Sequence, residues 1–277
     1  MNDFYDLTIS IVTYYDKNYG NIDDLVKCLK SILKTKLKIK VIIVDNSSKS
    51  LDLDIFKDER IEYIFNGKNL GFGKSHNIAI KKVLNKSKYH LILNPDIFFE
   101  EDVLFELKNY MDFNKNIAAI TPKILYPNGK IQYLCKLLPT PFDLIFRRFI
   151  PFKKYLEKRN FVYELRFTKY NKEMKVPVIS GCFIFLRTDI LKKINGFDER
   201  FFLYLEDVDL CRRILKFGDI VFYPKLKIFH KFERGSYKKL RFLIIHMISA
   251  IKYFNKWGWI LDKEREKINK KFLKELL

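Results

Sequence analysis

Four acids and one histidine stand where this chain can act on a charged ligand. Glu206 and Asp207 are adjacent in FFLYLEDVDLCRR, at the start of a helical pattern. Adjacent helical residues point about 100° apart, so one of the pair faces a given ligand, and the sequence leaves open which. The backbone dipole at a helix start favours the charged carboxylate. An ionised carboxylate beside an aromatic wall suits a general base. First-turn acids are also common for purely structural reasons, so the pair needs support from elsewhere in the chain.

That support comes from strand ends. The apolar run Leu91, Ile92, Leu93 stops at Asn94-Pro95-Asp96. An Asp at the end of a parallel strand can hold a hard divalent cation, because Mg²⁺ and Mn²⁺ prefer oxygen ligands and bridge protein to diphosphate; the same tripeptide also makes an ordinary turn. KVIIVDNSS ends another apolar run at Asp45-Asn46, and LTISIVTYY ends at Thr13-Tyr14. In NLGFGKSHNIAI, Gly71 and Gly73 enter a helix. Such a loop can approach phosphate closely, although it lacks the full dinucleotide glycine set and no Walker lysine follows. His230 closes KLKIFH before a polar loop, a place for a metal ligand, a phosphate contact or a structural imidazole.

The elements that must hold these residues read as α/β. Residues 7–15 form a buried strand. Ile22, Leu25, Val26, Leu29, Ile32 and Leu33 have helical spacing, and a second β-branched strand follows. Strand, helix, strand with continuous apolar strands is a βαβ unit of a parallel sheet, and ligands bind beyond the carboxyl ends of such strands. Residues 61–65 give a third strand and residues 117–125 another, followed by a Pro-Asn-Gly turn that predicts a hairpin tipped by Asn128-Gly129. Periodicity breaks down over residues 135–175. Residues 219–230 read as two short strands around Pro224, and the remainder as helices broken at Trp257-Gly258-Trp259.

Charge is concentrated. The 277-residue chain carries a net +20, which implies a polyanionic partner or surface. Residues 132–175 and residues 237–277 each hold 11 basic and 4 acidic residues, net +7 apiece. Cys28, Cys135, Cys182 and Cys211 are scattered through apolar stretches without a CxxC, which argues against a disulfide framework or structural zinc and points to a reducing compartment. MNDFYDLTIS has no basic n-region, and FLIIHMISAI is about half the ~20 residues of a spanning helix. The expectation is a soluble or peripheral cytoplasmic protein.

Taken together, VTYY, VDNSS, NLGFGKSHN, LNPD, SGCFIFLRTDILKKINGFDERFFLYLEDVDLCRR and HKFERGS resemble the family-2 inverting glycosyltransferases of GT-A fold. The Asn-Pro-Asp form is most similar to the rhamnosyltransferase-like branch of bacterial surface-polysaccharide assembly. The resemblance implies a mixed, mainly parallel sheet flanked by helices over residues 1–236, with a nucleotide half at 1–122 and an acceptor half at 123–236 that carries the basic insert 135–175. Residues 237–277 form a basic helical extension, open to covering the core, dimerising or lying on a membrane.

Residue by residue, the resemblance places Thr13, Tyr14 and Asp45 at the nucleotide base, with Asp45 accepting a hydrogen bond from the pyrimidine. Gly71, Phe72, Gly73 and Asn77 run along nucleotide and donor. Asn94 and Asp96 occupy the family's Asp-x-Asp positions, leaving Asp96 most of the binding of Mg²⁺ or Mn²⁺, with His230 a further ligand. Asp207 is the base, supported by Glu206, and Arg234 and Ser236 lie near the diphosphate. The implied reaction moves a sugar, L-rhamnose from dTDP-L-rhamnose or a hexose from a UDP donor, onto a saccharide hydroxyl with inversion. The implied acceptor is polyprenyl-diphosphate-linked, at the anionic cytoplasmic face of the inner membrane. His76 stands where relatives carry a small residue, which bears on donor-pocket shape. NSSKS after Asp45 lacks a further acid found in many of them.

Two other classes fit less well. A nucleic-acid-binding protein suits +20, but no RNA or DNA module is legible. A nucleotidyltransferase of the same fold usually has a glycine-rich basic signature near the N-terminus, which VTYYDKNYG lacks.

Overall fold

The computed structural model describes residues 4–16, 20–146, 152–231 and 240–277. Strands β1 (Tyr5–Thr13), β2 (Ile39–Asp45), β3 (Ile61–Phe65) and β4 (Ser87–Leu93) lie parallel in the order β3-β2-β1-β4. Helix α1 (Ile22–Ile32) joins β1 to β2, and α2 (Phe72–Val83) joins β3 to β4. The side chain of Asn21 caps α1 at the N–H of Asp23, and Leu25, Cys28, Leu29 and Ile32 bury its inner face. β2 over residues 41–44 and β4 over residues 91–93 are buried on both faces, which is why those stretches read as apolar runs.

Past β4 the sheet becomes mixed. β8 (Phe183–Arg187) runs antiparallel between β4 and β6 (Ile117–Leu125); β6 pairs in parallel with β9 (Asp219–His230). β5 (Ile97–Phe98) and β7 (Met174–Lys175) add antiparallel to β9. Residues 219–230 therefore make one strand rather than two. Pro224 is absorbed by a register shift between Pro122 and Lys123 of the partner strand, since a proline has no N–H to give a ladder. The Asn128-Gly129 turn forms, with Gly129 at φ +81, but it closes on an isolated Leu125–Ile131 bridge.

Helices α3 (Val103–Phe113), α4 (Pro141–Leu144), α5 (Lys153–Tyr163), α6 (Thr188–Lys193) and α7 (Glu206–Ile214) complete the two halves. α5 falls where the sequence shows no periodicity. Tyr163 is its one fully buried residue, so there is no apolar stripe to detect. Helices α8 (Leu240–Trp257) and α9 (Lys263–Leu276) pack on the core, burying Ala250, Tyr253, Phe254 and Phe272. A buried charge cluster fastens them to α7. Arg212, 1% exposed, binds both oxygens of Asp262 at 2.6 and 2.7 Å, reaches Glu264 at 2.8 Å, and lies 4.3 Å from the ring centre of Trp257. Asp209, fully buried, accepts from Arg213 and Trp257 at 2.8 Å each.

Candidate functional site

Register brings the expected residues to one edge. Thr13 pairs with Asp45 across β1 and β2, and Ile11 with Leu93 across β1 and β4. Because β8 is antiparallel to β4, its entry segment reaches the same edge: the N–H of Asn94 donates to Cys182 O at 2.9 Å. The N–H of Gly181 then donates to Oδ2 of Asp207 at 3.0 Å. A Cβ on Gly181 would stand 3.2 Å from Cβ of Asp207 and 3.3 Å from the Phe72 ring, so a side chain here would press the α7 start or Phe72 away from this strand entry. Two residues before this helix, Tyr204 (φ +70) and Leu205 (φ +68) are both left-handed, at roughly 1–2 kcal/mol each.

The adjacent acids differ sharply. Glu206 is buried, and Oε2 has no hydrogen-bond partner. Burial first, and Asp207 second, push its carboxyl well above the usual 4.5, so at a helix start where the dipole would favour charge, desolvation wins. Asp207 is half-exposed and has donors on both oxygens, from Gly181 and from the N–H of Val208 at 2.8 Å. Of the pair, Asp207 is the one that reaches solvent.

Asp96 meets His230 because β5 pairs with the end of β9, Ile97 opposite His230. Oδ1 of Asp96 is itself buried and lies 3.3 Å from Nε2 of His230, within ion-pair reach but off hydrogen-bond geometry. Nδ1 of His230 lies 2.9 Å from Oε1 of Gln132, whose Nε2 donates to His230 O at 2.7 Å. Gln132 thus orients the ring, as the outer partner of a metal-bound histidine does. Sequence inspection misses it, because the two residues lie 98 positions apart with no local signal. Burial opposes a charged His230 while Cys182 and Asp96 favour it, and the balance raises it to about 10.

This pair fits a divalent cation. An oxygen and a nitrogen 3.3 Å apart are close to the ~3 Å that separates neighbouring ligands of an octahedral ion bound at about 2.1 Å. Among the described residues no group of three His, Cys, Asp or Glu side chains stands together. The remaining ligands would then be phosphate oxygens and water, as is usual for Mg²⁺.

Most of the other expected residues are packed inside the protein. Asp45 is fully buried, with Oδ1 accepting from Thr13 Oγ1 (3.0 Å), Ser47 N (3.0 Å) and Ser47 Oγ (2.5 Å), and Oδ2 from Tyr63 Oη (2.5 Å). Its oxygens are engaged inside the protein, where it braces Thr13, Ser47 and Tyr63. Tyr14 is half-exposed beside them. Gly71 and Gly73 let the loop before Glu206 approach closely. A Cβ on Gly71 would lie 2.3 Å from Phe202 O, and one on Gly73 2.9 Å from Cβ of Phe197; the N–H of Phe72 donates to Phe202 O. Asn77 spends its amide on the same loop, donating to Phe197 O and accepting from Phe197 N. His76 lies fully buried rather than in a donor pocket, its Nδ1 2.7 Å from Ser10 Oγ, which is 2.9 Å from His90 Nε2. Burial pushes both imidazoles down, His90 to about 3. Arg234 and Ser236 lie outside the described residues.

Comparison with known proteins agrees with this geometry. The family model for glycosyl transferase family 2 matches residues 10–194. The chain is 25% identical to the rhamnosyltransferase WbbL of Escherichia coli K12 over 267 residues, 92% of this chain and 97% of that protein. It is 23% identical to the N-acetylglucosaminyl-diphospho-decaprenol L-rhamnosyltransferase of Mycobacterium tuberculosis over 220 residues, 72% of this chain and 68% of that one. Among solved structures it is similar to S. aureus TarS, with a TM-score of 0.57 and 16% identity over 97% of this chain and 43% of TarS. It is also similar to GalNAc-T7 crystallised with UDP, GalNAc and Mn²⁺, with a TM-score of 0.58 and 13% identity over 83% of this chain and 44% of that one. The model spans about two thirds of the 277 residues, and with the mixed sheet and its strand-end acids it makes this chain a glycosyltransferase of GT-A fold, a member of glycosyl transferase family 2.

Proposed function

We propose that the protein transfers L-rhamnose from dTDP-L-rhamnose to a saccharide hydroxyl with inversion, in surface-polysaccharide synthesis. One observation carries the mechanism. Asp207 is the carboxylate of its pair that reaches solvent, and its Gly181 tether joins it, through Cys182 and Asn94, to the strand end bearing Asp96 and His230. Asp207 takes the proton from the acceptor hydroxyl as that oxygen attacks the anomeric carbon. Glu206 is buried, with burial pushing its carboxyl toward the protonated form, and leaves the solvent-facing side of the pair to Asp207. Asp96 and His230 hold a Mg²⁺ or Mn²⁺ ion. When bound, that ion neutralises charge on the departing diphosphate. A single displacement from dTDP-β-L-rhamnose gives an α linkage.

Rhamnose is favoured over a UDP-hexose because the relative matching 92% of this chain is a rhamnosyltransferase, as is the mycobacterial one, although a Haloferax volcanii relative, 26% identical over 75% of this chain, is a hexosyltransferase. The decaprenol-linked acceptor of one of them, together with the net +20, supports a polyprenyl-diphosphate-linked acceptor met at an anionic membrane. Arg234 and Ser236 are proposed to contact the diphosphate.

The test measures transfer from dTDP-rhamnose and from UDP-sugars with Mn²⁺, for wild type and Asp207→Asn. The expected result is turnover with dTDP-rhamnose that falls about 10³-fold in Asp207→Asn, while donor-induced thermal stabilisation persists. Turnover with a UDP-sugar alone would replace the donor. An unimpaired Asp207→Asn would remove the base.

A further inference from the structure

Helix α8 turns an aliphatic strip to solvent. Leu240, Ile244, Ile248 and Ile251 are 72%, 51%, 47% and 44% exposed. At about 100° per residue they fall within roughly 80° of one another around the helix. Arg241 and Lys252 are exposed along one border of the strip, and no acid occurs anywhere in α8. Beside it, Ile245, Ile248 and Ser249 line an open apolar groove with Phe202. Isolated exposed apolar residues need no explanation, but a contiguous strip marks an interaction surface.

We propose that this face of α8 lies in the headgroup–acyl boundary of an anionic bilayer and so sets the catalytic loop at the membrane surface. An aliphatic arc bordered by cations and free of acids matches a bilayer whose headgroups are negative. The rest of the chain reinforces the match. The two net +7 segments are distant in sequence but meet in space: Asn269 exchanges hydrogen bonds with the backbone of Leu138 at 2.9 Å both ways. The strip is also coupled to the site. Ser249 Oγ donates to Leu203 O at 2.8 Å and Lys252 Nζ to Arg200 O at 2.7 Å, on the loop that runs into Glu206 and Asp207. The inference deepens the membrane reading above, replacing charge attraction alone by aliphatic insertion next to the base.

Sedimentation with sucrose-loaded vesicles tests it without any sugar donor, so its failure leaves the glycosyl-transfer reading standing, and the converse holds. Phosphatidylcholine vesicles with and without phosphatidylglycerol are compared for wild type, Ile244→Asp/Ile248→Asp and Arg241→Gln, with circular dichroism confirming the fold. The expected result is binding to phosphatidylglycerol vesicles that survives high salt in part and falls about tenfold or more in the double variant. Ile248→Trp should show a blue-shifted emission with the same vesicles. Binding that the double variant leaves intact, or that salt abolishes entirely, would overturn the proposal. So would a wild-type dimer that the double variant dissociates, with no vesicle binding by either.

Discussion

The ends of β2 and β4 carry the same sequence signal, an acid after a continuous apolar strand, and the two acids are in opposite physical states. Asp45 is fully buried with four donors on its two oxygens. The side chain of Asp96 is 27% exposed, its Oδ1 has no aligned donor, and a histidine stands 3.3 Å away. A carboxylate whose lone pairs are filled by its own protein braces a fold. One left short of donors is available to a cation. Neighbouring donors, not position on the strand, separate the two roles.

Substitutions at each end should dissociate activity from stability. The largest effect is expected for Asp96→Ala: transfer falls about 10²–10³-fold, while the urea midpoint stays near wild type. A large loss of stability there would collapse the contrast. Asp45→Ala should do the reverse, costing about 3 kcal/mol in urea unfolding because several buried donors lose their acceptor. Tyr63→Phe removes one of those donors and should cost about 1.5 kcal/mol with turnover per folded molecule unchanged. The smallest effect concerns Glu206, a third acid that is buried with no hydrogen-bond partner on Oε2. Its folded carboxyl lies above 4.5, so the folded state holds a proton that the unfolded state releases, and stability falls as pH rises past 4.5. Glu206→Gln should therefore unfold like wild type below that pH and be modestly more stable at pH 7. A variant less stable than wild type at pH 7 would show that Glu206 is charged in the fold.

How far the site can be read from sequence follows the same division. β2 and the last residues of β4 announce themselves because burial on both faces makes them apolar, and the strand ends give Thr13, Asp45 and Asp96 directly. The meeting of Asp96 with His230 depends on Ile97 lying opposite His230, a register between distant segments that no local pattern encodes. The packing of Gly73 and Asn77 against Phe197 is not legible, because the two segments lie 120 positions apart. The expectation that residues 219–230 make two strands failed because a bulge can absorb Pro224. Arg212 reads as a charged surface residue, and the buried partners that make it otherwise lie 50 positions ahead.

That last contact bears on how the protein is made. Arg212 sits on the helix that begins with Glu206 and Asp207, yet the acids that neutralise it, Asp262 and Glu264, are made 50 and 52 residues later. While the chain emerges from the ribosome, α7 holds a cation that cannot be buried without them, since leaving one member of such a pair uncompensated costs about 3–5 kcal/mol. Helix α7 is therefore expected to settle only once residues 262–264 are available, a delay that pulsed proteolysis of chains truncated before and after residue 264 would detect.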